Sequence, residues 1–336
     1  MGFFGDGDGG PRGGPADGSL PNWFDPHRDL SPVARGRLER TARSGVRAST
    51  LSAKEFAVLE PMGPTLIGEV LGACAYRLGV ERLPAEAGYA GEDYSTALRT
   101  LSDAWSHARR LAFQRLHEEA RALGADAVLG VHLQRAQRGW TKRGIDYTMI
   151  GTAVRFPRLT TLSADDVRPS PLVSDLSVQD YWTLRTAGCD PAGLVVSTAV
   201  MFVSQGLGTR WRRRRTITQN QELTELSDGF SGARHMAARD VRDQAQRLGA
   251  QGVVGISFAY ELIEREFQVD SRGALAPSPT SVATTVLSGD SIRSTGSADK
   301  RKGMVFTVHA AGTAIRRRPT GAPPASPPTL TMRLND

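Results

Sequence analysis

From Ser95 onward, apolar residues recur at spacings of three and four: Leu98, Leu101, Trp105, Ala108, Leu111, Ala112, Leu116, Ala120 and Leu123. That period predicts a long amphipathic helix. Gly124 stands just past its last apolar residue, where a left-handed conformation ends a helix at little steric cost. Short apolar runs flank it: KEFAVLE and TLIGEVLGACAY before, AVLGVHLQ and DYTMIGTAVRF after, all read as strands. The same order returns downstream as QDYWTLR, LVVSTAVMFV, a helix from about Gln219 to Leu248, GVVGISFAYE and MVFTVHAAGTAIR.

The two passages align residue by residue. Gly124 lies 125 positions before Gly249, and the same offset sets Leu101 over Leu226, Gly68 over Gly193 and Leu51 over Leu176. The chain therefore reads as a tandem duplication of a strand-strand-helix-strand-strand unit, an α+β fold in which each unit is a four-stranded sheet with one long helix. Gly312 follows Gly151 by 161 positions, so the second unit carries 36 additional residues, a Ser/Thr/Gly-rich insertion at about 268–302 read as an extended or disordered hairpin loop. Gly229 and Gly232 inside the second helix each cost about 1 kcal/mol relative to alanine, which predicts the looser of the two helices. One helix covers only one face of a sheet. LVVSTAVMFV is apolar at neighbouring positions, as expected where both faces are covered, so the second face requires association of units.

Outside the units, 1–30 is rich in Gly, Asp and Pro and 318–336 is rich in Pro, and both predict disorder, because they cannot bury enough apolar surface to offset ordering entropy. Residues 31–50 form a basic linker in which SPVARGRLERTARSGV predicts a short helix capped by Ser31. The first unit is assigned to 51–157, a linker to 158–175 and the second unit to 176–317. No apolar run approaches the roughly 20 residues of a membrane span, and the first residues lack a signal peptide's character, so a cytoplasmic location is expected.

Three motifs carry a family resemblance: RLHEEARALGADAVLGV, IGTAVRF and LIGEVLGACAY, with RLGAQGVVGI and AGTAI as looser counterparts in the second unit. Both units resemble the YbjQ family, which is labelled a putative heavy-metal-binding domain. The resemblance implies dodecin-like modules that assemble into a ring, hence a homo-oligomer, and it makes a heavy metal the one cofactor to consider. Members carry an acidic, tyrosine-containing stretch after the glycine of the third strand. The second unit keeps it as AYELIERE, with Tyr260, Glu261 and Glu264, and the first has HLQRAQ instead.

Candidate chemistry is sparse. The six histidines are scattered, and HEEAR at His117 has Arg121 where a zincin needs its second histidine. Cys74 and His132 are the first suspects for a metal ligand gathered between subunits, against a buried thiol and a strand histidine. GFSGA lacks a nucleophile elbow's second glycine, and GDGDGG follows no strand, so no enzyme is expected. Gly130, Gly255, Gly151 and Gly312 read as sites of close backbone approach, and Gly249, like Gly124, as a helix stop.

The chain is basic, with net charge +7, and much of the excess sits in TRWRRRRT. Arg210, Trp211, Arg212, Arg213, Arg214 and Arg215 lie at the offset that places PAEAGYAG, with Glu86, in the first unit. Three readings stay open: a solvated loop, electrostatic matching between unlike units, and binding of nucleic acid or an anionic membrane. The leading function is a non-enzymatic, oligomer-forming protein that binds a small ligand or metal between modules; the alternative is a nucleic-acid or anionic-surface adaptor acting through the arginine run.

Overall fold

The computed structural model describes residues 30–59, 63–79, 81–84, 93–138, 144–156, 170–204, 222–269 and 300–318. The arginine run at 210–215, the body of the insertion at 270–299, residues 1–29 and the tail from 319 lie outside them. The architecture is α+β, with five helices and two sheets among the described residues.

The chain opens with α1, Pro32–Ser44. Ser31 caps it by accepting the Ala34 N–H at 3.3 Å, and Gly45 ends it in the left-handed region at φ 69°. The first half then runs α2 (Ala53–Leu59), β1 (Thr65–Arg77), two short strands β2 (Arg82–Leu83) and β3 (Tyr94–Ala97), α3 (Arg99–Ala122), β4 (Ala127–Arg138) and β5 (Gly144–Arg155). The second half runs β6 (Leu172–Val173), α4 (Val178–Thr186), β7 (Cys189–Ser204), α5 (Thr224–Arg247), β8 (Gly252–Val269) and β9 (Lys300–Arg317). The ends of the insertion, Gln268, Val269 and Lys300 to Lys302, belong to these last two strands.

Two expected strands are helices. KEFAVLE forms α2 and QDYWTLR forms most of α4, so each half contributes three long strands instead of four. The cause is local. Ser52 and Glu55 make a reciprocal capping box, the Ser52 N–H donating to Glu55 Oε2 at 2.7 Å and the Glu55 N–H to Ser52 Oγ at 3.3 Å. Ser177 and Asp180 make its near equivalent, with the Asp180 N–H on Ser177 Oγ at 3.0 Å and the hydroxyl on Asp180 Oδ2 at 2.8 Å.

The first long helix also starts later than its apolar period implies. Tyr94–Ala97 is the edge strand β3, antiparallel to Met201–Ser204 of β7. The junction is held from outside the helix: Leu98 N–H donates to Val200 O at 2.8 Å, Val200 N–H donates to Ser102 Oγ at 3.0 Å, and Leu101 N–H donates to Glu81 Oε2 at 2.9 Å. These bonds replace the side-chain cap that Leu98 cannot supply. In the second half the helix begins at Thr224, not near Gln219. Its Gly229 and Gly232 are contact points: a Cβ at Gly229 would sit 2.3 Å from Val203 Cγ2, and one at Gly232 2.9 Å from Met201 Sδ.

The sheets have the orders β1-β5-β4-β6 and β2-β8-β9-β7-β3. Each long core, β1-β5-β4 or β8-β9-β7, is an antiparallel trio edged by short strands from the other half: β6 joins β4, while β2 and β3 join β8 and β7. Helix α3 lies between the two sheets, whereas α5 covers only the far face of the second. The contiguous apolar run of β7 divides accordingly. Val196, Val200 and Phe202 enter the core around α3, and Val195, Ala199 and Val203 enter the core under α5. A third core, with Leu59, Leu129, Val154, Leu176 and Tyr181, joins α2 and α4 to the sheet ends. Among the described residues no helix is long and apolar enough to cross a membrane.

Candidate functional site

Where β4 and β8 approach each other, the two halves leave a cleft of about 560 Å³. Its lining comes from both sides: Leu133, Gln134, Arg135 and Ala136 on β4, Asp146 and Thr148 on β5, Ala259, Tyr260 and Glu261 on β8, His309 on β9, and Trp105 from α3. The lining is internally matched. The 125 offset sets Gln134, Arg135 and Ala136 over Ala259, Tyr260 and Glu261, and the 161 offset sets Thr148 over His309. HLQRAQ and the start of AYELIERE are thus opposite walls of one cleft.

Trp105 is buried at its base. Its ring meets His309 edge-on at 5.0 Å between centroids and Tyr147 at 6.4 Å. His309 Nδ1 lies 2.8 Å from Thr198 Oγ1. Burial pushes the His309 pKa down to about 3, with the Arg135 charge acting in the same direction, so the imidazole is neutral at physiological pH. A base that weak holds no proton to exchange near neutrality. Arg135 Nη1 is buried without a hydrogen-bond partner, as is Tyr147 Oη. Burial raises the Tyr147 pKa against the opposing charges of Arg109 and Arg135. The cleft lining therefore includes the aromatic surface of Trp105 and the unpartnered Arg135 Nη1, with Glu261 among the same residues.

Cys74 and His132 do not converge. Cys74 pairs with Tyr147 and shares its buried face toward α3, whereas His132 pairs with Ile150 and points to the exposed face of the same sheet. Burial raises the Cys74 thiol pKa, away from the thiolate a metal needs. His117 is buried on α3, hydrogen-bonded to Ser170 Oγ and held down to about 4 by burial. Among the described residues no three His, Cys, Asp or Glu stand close enough to hold a metal ion. Arg210, Trp211 and Arg212 to Arg215 lie outside the described residues.

The glycines mark construction points. Gly124 and Gly249 end the long helices at φ 64° and 65°. Gly130 and Gly255, at φ 60° and 65°, sit at irregularities in β4 and β8, and Gly130 N–H donates to Leu176 O at 2.9 Å. A Cβ at Gly151 would lie 2.6 Å from Val128 Cγ1, and one at Gly312 3.0 Å from Val254 O. Sequence reasoning missed the side chains that close the open sheet edges. Glu119 Oε2 accepts the Leu71 N–H at 2.7 Å and pairs with Arg37 of α1, while Gln244, at the same position of the second half, accepts from Val196 N–H at 3.3 Å and donates to Val196 O at 2.8 Å. Their shared offset was a usable signal. Trp105, Arg135 and His309 gave none, since nothing in their spacing shows that they meet.

Comparison with known proteins follows these same elements. The YbjQ family, described as “Putative heavy-metal-binding”, matches residues 94–157, from β3 through β5, which is one copy where the sequence predicts two. The encapsulin nanocompartment protein Rv1762c of Mycobacterium tuberculosis (strain ATCC 25618 / H37Rv) is 33% identical over 233 residues, covering 68% of this chain and 83% of that protein. No solved structure matches. With that identity spread over most of both chains, the protein belongs to the family of the encapsulin nanocompartment protein Rv1762c.

Proposed function

We propose that the protein is a non-enzymatic, cytoplasmic, self-assembling component of an encapsulin nanocompartment system, built from two YbjQ-like modules that arose by duplication, with the cleft between them as a small-ligand pocket. The duplication is supported by backbone detail as well as sequence. Gly63 and Gly188, Gly124 and Gly249, and Gly130 and Gly255 adopt matching positive φ at the 125 offset, and β1 and β7 both shift register at Gly68 and Gly193.

The observation that carries self-assembly is the apolar surface of the second half. Leu223 at the N-cap of α5, Met236 on α5 and Ile256, Tyr260 and Leu262 on β8 are exposed, Tyr260 at 69%. An apolar surface of this kind on a folded chain marks an interaction site. The relative is named as an encapsulin nanocompartment protein, which supports assembly as the direction of this reading. Light scattering on the purified full chain should give a mass that is a multiple of 36.2 kDa. A single-chain mass at micromolar concentration would sink self-assembly. Co-expression with an encapsulin shell protein, followed by sizing of the particles, tests the compartment itself: the chain should co-elute with the shell. In the cleft, Arg135 Nη1 favours a ligand with an acceptor oxygen.

A further inference from the structure

We infer that copies of the chain associate head to tail, the α5 and β8 face of one copy receiving the outer face of the β1-β5-β4 sheet of the next, in a contact that repeats the one made between the two halves of a single chain. The inference rests on the self-assembly reading and identifies the surfaces that perform it.

Within the chain, α3 turns one face toward the second sheet. Leu98, Ser102, Trp105 and Arg109 lie on it at spacings of four and three: Leu98 and Ser102 bond the Val200 backbone, Trp105 meets His309, and Arg109 Nη1 reaches Gln244 Oε1 at 3.4 Å. Helix α5 carries Leu223, Ser227, Phe230 and Arg234 at the same four positions. Of these, Leu223, Ser227 and Arg234 are exposed and Phe230 is half-buried. Leu98 is 1% exposed and Leu223 40%. The second half thus presents a docking stripe of the same kind on which, among the described residues, nothing is seated.

An edge repeats the pattern. Ala127 and Val128 of β4 pair with Leu172 and Val173, and the Gly130 and Val131 N–H groups donate to Leu176 O and Ser174 O. Gly252, Val253 and Gly255 stand at the corresponding places in β8, yet among the described residues the outer edge of β8 is paired only at Gln268 and Val269. Val131 is 4% exposed and its counterpart Ile256 is 43%.

The complementary surface is also present. What α3 meets in the second half is the face of β7 bearing Thr198 and Val200; 125 positions earlier, β1 bears Ala73 and Ala75, both exposed. The segment corresponding to Leu172–Leu176 is 47–51, in which Arg47 and Ala48 are exposed. It is anchored in the same way, Ser49 Oγ lying 3.2 Å from Thr152 Oγ1 as Ser174 Oγ lies 2.9 Å from Thr313 Oγ1. The two surfaces are unlike and sit on different halves. Such a contact is heterologous, and repeating it closes a ring or extends a filament.

Two double variants at exposed positions test it by light scattering: Leu223→Glu with Ile256→Lys on the helix side, and Ala73→Glu with Ala75→Glu on the sheet side. Each alone should fall from the multimer to the 36.2 kDa of one chain. An equimolar mixture should give a complex of two chains and no more, because one intact surface of each kind remains. Leu223→Lys combined with Ala75→Glu in one chain should regain the multimer by pairing charges across the contact, which keeps the test decisive if a double variant fails to fold. Retention of the full multimer by the sheet-side variant, or a mixture that stays single-chain, would overturn the head-to-tail contact while leaving self-assembly standing. A wild-type chain that is itself monomeric overturns both.

Discussion

Helices α3 and α5 each pack on the long strands of their own half, have the same length, and differ in what lies above them. Both sheets pack against the apolar stripe of α3, and Gln114, His117, Glu118 and Glu119 are buried as well, His117 against Ser170 and Glu119 against β1 and Arg37 of α1. On α5 the buried residues are Gly229, Ala233, Ala237, Val241 and Ala245, a single line of small side chains. Local sequence makes both amphipathic; the second burial of α3 is conferred by the other half of the chain. Burial here follows tertiary position, and α5 keeps exposed Leu223 and Met236 where the matching face of α3 is covered by the second sheet.

The sharpest way to break the likeness is at Trp105 and its counterpart Phe230. Trp105→Ala should cost about 3–5 kcal/mol, the range for emptying a buried aromatic site, and Phe230→Ala distinctly less because that ring is half-buried. Urea midpoints of the two variants measure it, and equal losses would contradict the burial difference. Next is Gly72, which pairs by offset with Ser197. A Cβ there would fall 1.9 Å from Ala112 O, so α3 rides closer to its strand than α5 does. Gly72→Ser should destabilise by about 1–3 kcal/mol as overpacking, although serine is what the other half uses at that position.

A third prediction sets His309 against Thr148, its counterpart in the cleft. Because the folded pKa of about 3 lies below the unfolded value of 6.5, the unfolded chain binds the proton first as pH falls. Stability from this group is intact above about pH 6.5 and declines through the acid range, at about 1.4 kcal/mol per pH unit. The Glu119 and Asp175 carboxyls, whose pKa values burial raises, act in the opposite sense. The informative quantity is therefore the difference between wild type and His309→Thr: their urea midpoints should converge as pH drops from 7 to 5. Parallel profiles would show that the fold leaves the His309 pKa unshifted. The smallest effect belongs to the caps. Ser52→Ala and Ser177→Ala should each cost about 1 kcal/mol, read as a small loss of thermal midpoint.

Much of this fold was legible in the chain. The period of Leu98 to Leu123 predicted α3, the 125 offset predicted a second helix and its strands, and the contiguous apolar residues of LVVSTAVMFV predicted a strand covered on both faces. Where the reading failed, the reason is specific. KEFAVLE and QDYWTLR are too short for periodicity to separate strand from helix, and the decisive signal, serine followed three residues later by Glu55 or Asp180, lies at their border. Strands of two to four residues such as β2, β3 and β6 carry no period at all; they exist because a partner strand in the other half offers an open edge. The cleft was invisible for the same reason, since Trp105 and His309 are brought to 5.0 Å by tertiary packing alone.

The exchanged edge strands bear on how the molecule comes apart. With β6 lent to one sheet and β2 and β3 to the other, neither half possesses its complete hydrogen-bonded border when severed from its neighbour. Unfolding should accordingly proceed as one cooperative transition despite the two cores, and separately expressed halves should remain insoluble until they are refolded together.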